Sequence, residues 1–209
     1  MELPKLDSWT SGFNMFKSDE NQRLEMMSDN SSFTFHRDRI IIDSYPFKPS
    51  IAFKNNTITP KIIDSIDLKS FPPTIKINEE LIFIPATQKK DLETFAEIHN
   101  IKIVQRNDLW SWILEPFLDT EYTAETDDRM NTLLSRHGLS KDDIKALRTE
   151  VKDQMLIYNF DTMLWEWCDL GLKDVLKAMR TKYSDEEFRS FYLKAMSISQ
   201  LPENSPPSR

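Results

Sequence analysis

The apolar positions of this chain change rhythm near residue 105. Before it, short runs rich in Ile and Phe alternate with polar residues and break at Asn, Asp and Pro, the period-2 pattern of strands. After it, apolar residues recur at intervals of three and four, the stripe of amphipathic helices. The expected fold is α+β: an antiparallel, strand-rich N-terminal half, open or closed into a small barrel, packed with a C-terminal helical bundle. Four segments follow. Residues 1–31 are a polar lead-in in which Ser18 would cap a short helix carrying Leu24 and Met27. Residues 32–104 form the β-rich part with one helix, and 105–199 the helical part. Residues 200–209 form a proline-bearing tail expected to be disordered.

In the first half, Phe33 and Phe35 alternate with polar neighbours, Arg37-Asp38 turns the chain, and Arg39–Asp43 returns as a strand. Ile51–Lys54, Asn55-Asn56 and Thr57–Thr59 read as a second hairpin, because Asn tolerates the left-handed backbone of a tight turn. Pro60 interrupts pairing before Ile62–Leu68, and Pro72-Pro73 breaks the chain again. Thr74–Ile77 and Leu81–Ile84 around Asn78-Glu79-Glu80 make the clearest hairpin. Pro85 ends the strands. Thr87 is the expected cap of a helix reaching Asn100 with Leu92, Phe95 and Ala96 on its apolar face, before a short strand at Ile101–Val104.

In the second half, Asp108–Leu114 is a Trp-rich helix that Pro116 ends or kinks. An acidic connection leads to Met130, Leu133 and Leu134 on one helical face, with Gly138 as its C-cap. Ser140 and Asp143 form a capping box before the stripe Ile144, Leu147, Val151, Met155 and Tyr158. Leu172, Val175, Leu176 and Met179 mark another helix. Ser184 and Glu187 box the start of the last, whose face Phe188, Phe191, Tyr192 and Ala195 is expected to pack on its predecessor.

Several short strands followed by one helix span residues 33–100, most suggestively ITPKIIDSIDLKSFPPTIKINEELIFIPA and then KKDLETFAEI. This order resembles bacterial pleckstrin-homology-like domains over about half the chain. The resemblance implies a fold that binds proteins, peptides or lipid headgroups and is seldom an enzyme. The basic strand–loop cluster of phosphoinositide binders is not evident.

Composition narrows the function further. The 209 residues carry a formal net charge of -7, which argues against a nucleic-acid binder and is compatible with a basic protein partner. Cys168 is the only cysteine, so no intramolecular disulfide forms, and a reducing, cytoplasmic setting is expected. No signal-peptide pattern opens the chain, and no run approaches the roughly 20 apolar residues of a membrane helix. With 3 glycines and no glycine-rich loop, GxSxG or CxxC, no cofactor is expected.

The remaining chemistry is sparse. His36, His99 and His137 fall at a turn and two helix ends without a paired motif. Cys168 follows Trp165 and Trp167 and reads as a buried thiol. Glu115, Asp119, Glu121, Glu125, Asp127 and Asp128 offer oxygen ligands but not in EF-hand order, so a solvated acidic loop is expected there. A metal-dependent hydrolase using these carboxylates with His137 is the alternative function. The tryptophans are the least ordinary feature: Leu109-Trp110-Ser111-Trp112 recurs in form as Leu164-Trp165-Glu166-Trp167. Residues two apart on a helix face different ways, so each pair sends one ring toward a second surface, either the β half of the same chain or a partner protein. Trp110, Trp112, Trp165 and Trp167 are therefore the expected binding residues of a non-catalytic interaction protein, an adaptor, regulator or immunity-type inhibitor whose partner is another protein.

Overall fold

The computed structural model describes residues 31–118, 122–161 and 170–204. Strands β1 (Ser32–Phe35), β2 (Ile40–Ser44) and β3 (Thr57–Ile58) form one antiparallel sheet in that order. Strands β4 (Ser65–Asp67), β5 (Thr74–Ile77), β6 (Glu80–Phe83) and β7 (Ile103–Val104) form a second, ordered β6-β5-β4-β7. The helices are α1 (Ile51–Lys54), α2 (Lys89–Ile98), α3 (Leu109–Leu114), α4 (Ala124–Arg136), α5 (Lys141–Asp161), α6 (Leu172–Arg180) and α7 (Asp185–Ser199). The fold is α+β, with both sheets in the first half and most helical residues in the second.

Three expectations are corrected. First, the strands do not close into a barrel: among the described residues they stay in two sheets. β3 is two residues long, and Pro60 opens a 3₁₀ turn (Pro60–Ile62) that ends the first sheet. β7 also joins β4 in parallel, with Ile66 opposite Ile103, because α2 carries the chain past the hairpin to the far edge. Second, Ile51–Lys54 is a helical turn, not a strand. Its orphan amides have acceptors: the Ala52 N–H donates to Ser50 Oγ (3.0 Å) and the Ile51 N–H to Glu80 Oε2 (3.0 Å). Third, α2 starts at Lys89 after a 3₁₀ turn over Ala86–Gln88, and no side chain caps it, Thr87 included. The β5–β6 hairpin pairs as its pattern demands, Ile75 opposite Ile82, with Asn78 at φ 53° in its turn.

Phe47 joins the halves. It is fully buried, and its ring meets Tyr45 and Phe83 on the sheet side and Phe188 and Tyr192 of α7. Arg180 of α6 lies over the same ring and donates to the Pro46 carbonyl (3.1 Å). Within the helical half, α3 touches each of α4, α5, α6 and α7. Six residues suffice because Leu109, Trp110, Ile113 and Leu114 are all buried. Asp108 caps α3, accepting from the Trp110 N–H (3.0 Å), and the same carboxylate accepts from the Leu172 N–H at the start of α6 (3.4 Å). It comes so close to Gly171 that a Cβ there would collide with it.

The stripe of α5 is buried at Ile144, Leu147, Val151, Met155 and Tyr158, and both capping boxes form. The faces of α6 and α7 are buried and the two helices pack together. Beyond α7, Leu201 packs on the core, its carbonyl meets His137 Nδ1 (2.9 Å), and the Asn204 N–H donates to the Arg136 carbonyl (2.7 Å). The lead-in with Ser18, Leu24 and Met27, and residues 205–209, lie outside the described residues.

Phe191 sits between Trp110 and Tyr183. Phe191→Ala should cost about 3–5 kcal/mol, whereas Leu193→Ala on the exposed face of the same helix should stay within about 0.5 kcal/mol. Urea midpoints of the two variants check this; equal midpoints would refute the packing of α7.

Candidate functional site: a braced loop with an exposed phenylalanine

Between β4 and β5 the chain runs Leu68-Lys69-Ser70-Phe71-Pro72-Pro73. Its first half is organised by Asp67, whose residue is completely buried. Asp67 Oδ1 accepts from the Lys69 N–H (2.8 Å) and the Ser70 N–H (3.0 Å), and Oδ2 accepts from the Arg106 N–H just past β7 (2.7 Å). Ser70 Oγ donates to the Asp67 carbonyl (3.1 Å) and lies 3.2 Å from Thr74 Oγ1. The Arg106 guanidinium donates to Thr74 Oγ1 (3.3 Å) and to Ser65 Oγ, placing a cation close to the buried carboxylate. At the loop's far end Pro73 is buried and its carbonyl accepts from the Ile84 N–H (2.8 Å). A buried carboxylate needs donors, and here the loop's own amides supply them, so the loop backbone is fixed.

Phe71 stands at the crown of this loop, 87% exposed. Among the described residues the next most exposed large apolar side chains are Leu193 at 58%, and Phe53 and Ile98 at 52% each. A Phe left in water forgoes about 1.5–3 kcal/mol of burial. Beside it lies a cleft of about 40 Å³ whose lining includes Phe71, Pro72, Phe83, Arg106, Asp108 and Lys173. Such a volume holds a few waters and falls far short of the roughly 300–1,000 Å³ of metabolite pockets. A larger, open groove of about 640 Å³ runs between α7 and the β5–β6 turn, past Ile51, Ile77, Leu193 and Pro202. At its floor Glu80 accepts from the Tyr192 hydroxyl (2.7 Å), from Ser50 Oγ and from the Ile51 N–H. Burial, with Tyr45 and Glu80 nearby, holds the Tyr192 hydroxyl well above the ordinary tyrosine range, so it stays a donor.

The tryptophans are divided. Trp110 is enclosed, its Nε1–H donating to the Ala195 carbonyl (3.0 Å) and its ring against Phe191. Trp112 points elsewhere and is half-buried, its ring centre 5.8 Å from that of His137. Trp165, Trp167 and Cys168 lie outside the described residues. The structure therefore does not bring a tryptophan cluster together among the described residues. Phe71 went unread in the sequence, where Pro72-Pro73 signalled only a break.

The acidic segment is drawn into structure. Asp127 accepts from Arg148 Nη1 (2.7 Å), the Tyr122 hydroxyl (2.6 Å) and Asn131 Nδ2 (2.9 Å). The hydrogen bonds from Tyr122 and Arg148 hold its carboxyl below the usual carboxylate range. Arg148 also donates to the Ile113 carbonyl (3.1 Å) and the Trp112 carbonyl (3.4 Å), satisfying the end of α3. Glu125 and Asp127 stand in the first turn of α4, where they complement the helix dipole. Asp119 and Glu121 lie outside the described residues. Among the described residues no three His, Cys, Asp or Glu side chains are grouped to hold a metal. His36 falls at the β1–β2 turn, His99 at the end of α2 with Nε2 2.6 Å from the Arg37 carbonyl, and His137 at the end of α4. Among the described residues no helix is long and apolar enough to cross a membrane. Comparisons with protein-family models, curated proteins and solved structures find no match to this chain.

Two outcomes are expected. Asp67→Ala removes the acceptor of the Lys69, Ser70 and Arg106 amides and should cost about 3 kcal/mol, while Phe71→Ser should change stability by no more than about 0.5 kcal/mol; chemical denaturation separates them. EDTA should leave the melting temperature unchanged. A drop reversed by Mg²⁺ or Ca²⁺ would revive a metal site in the acidic segment.

Proposed function

We propose that this chain is a non-catalytic interaction protein, an adaptor, regulator or immunity-type inhibitor, that binds another protein through the Phe71 loop. The observation that carries the reading is Phe71 itself: a large apolar ring held in water by a loop whose backbone is already fixed. Binding such a loop costs little ordering entropy, so less of the gain from burying the ring is lost to fixing the backbone. Aromatic anchors of this kind dominate interfaces. Trp112, half-buried on α3, is a secondary candidate, and Trp165 and Trp167 keep the expectation drawn from their spacing.

The catalytic alternative gains nothing from the described residues. Asp127 is occupied by Arg148 and Tyr122, and His137 by the Leu201 carbonyl. The net charge of -7 stands against phosphate-backbone binding, and the single cysteine fits a reducing compartment, for which we propose the cytoplasm.

Site-specific photo-crosslinking in the native host tests the reading. A photoreactive phenylalanine analogue at position 71 should give a discrete protein adduct, and the same analogue at Phe53 should not. Failure to form an adduct from position 71 would remove this loop as the interface.

A further inference from the structure

The sign of the charge around Phe71 differs from that of the chain. Lys69, two residues before the ring, is exposed and makes no side-chain ion pair among the described residues. Arg106 and Lys173 line the cleft at the foot of the loop. The two carboxylates of the same cleft are both engaged by backbone amides. Asp67 is buried under the amides of Lys69, Ser70 and Arg106, and Asp108 accepts from the Trp110, Ser111 and Leu172 N–H groups. Their negative ends meet backbone donors, and the exposed cation nearest the ring in the chain is Lys69. On a chain of net charge -7 this is a local reversal.

Resting on the reading of the Phe71 loop as a protein-binding surface, we propose that its partner presents an apolar socket for Phe71 with carboxylates on the rim that meets Lys69. A basic partner, which the net charge alone would favour, places its cations elsewhere on this chain. An anionic membrane would also attract an aromatic residue beside a lysine. It is disfavoured because one ring inserts little apolar area and the rest of the chain is repelled by the anionic surface.

The test uses the full chain carrying the photoreactive analogue at position 71, alone and combined with Lys69→Glu or Lys69→Arg, each first checked for an unchanged melting temperature. Charge reversal should lower adduct yield about tenfold, Lys69→Arg should preserve it, and the crosslinked peptide should contain Asp or Glu near the modified residue. A position-71 adduct whose yield ignores Lys69→Glu would overturn the acidic rim while leaving the interaction surface in place. The absence of any protein adduct would overturn both. Sedimentation with phosphatidylserine–phosphatidylcholine vesicles, lost in Phe71→Ser, would replace the protein partner by a membrane.

Discussion

Phe47 is the contact on which the arrangement of this molecule depends. It belongs to a short connection after β2, yet its ring is shared by the sheet side, through Tyr45 and Phe83, and by α7, through Phe188 and Tyr192. Edge and tilted ring contacts of this kind add directional preference to simple burial. They set the angle at which α7 meets the hairpin, and the Phe83 N–H donating to the Tyr45 hydroxyl (3.1 Å) fixes the connection against β6. Glu80 then ties the start of α1 and the Tyr192 hydroxyl to the start of β6. The two secondary-structure regimes legible in the sequence thus share one hydrophobic core.

That shared core is what makes the Phe71 loop rigid. β4 and β5 are held between β6, which leans on α7, and β7, which brings in Arg106. Asp67 sits at the end of β4 with no exposure, and the only way to accommodate its carboxylate there is to surround it with N–H groups. Those groups come from the loop and from Arg106, so the cost of burying a charge is offset by fixing the conformation that displays Phe71. Burial of Asp67 and exposure of Phe71 are two ends of one arrangement.

The elements with strong local signals were readable: the β5–β6 hairpin, the capping boxes at Ser140 and Ser184, and the stripes of α5, α6 and α7. What escaped the sequence depended on contacts between distant residues. Ile51–Lys54 has the β-rich composition of a strand, but Ser50 and Glu80, the latter 29 positions beyond Ile51, supply the acceptors of a helix start. The parallel pairing of β7 is set by where α2 deposits the chain, which no local pattern records. Asp67 read as one more polar residue before a break. Its role emerges only once Arg106, 39 positions later, lies beside it.

The tryptophan geometry bears on where a partner would bind. Residues two apart on a helix diverge by about 200°, and α3 follows that rule: Trp110 enters the core against Phe191 while Trp112 turns toward His137. The second surface Trp112 meets is furnished largely by this chain, since His137 and the Arg148 that caps α3 stand there. Divergence on a helix therefore marks a residue that joins two parts of one structure as readily as one that awaits a partner. An aromatic ring on a loop obeys a different constraint. No neighbouring turn shields it, and its exposure persists only if the backbone beneath it is anchored independently of the ring. Phe71 meets that condition through Asp67, Ser70 and Pro73, and this independence of anchor and anchored ring places the weight of a binding argument on the loop rather than on the tryptophans.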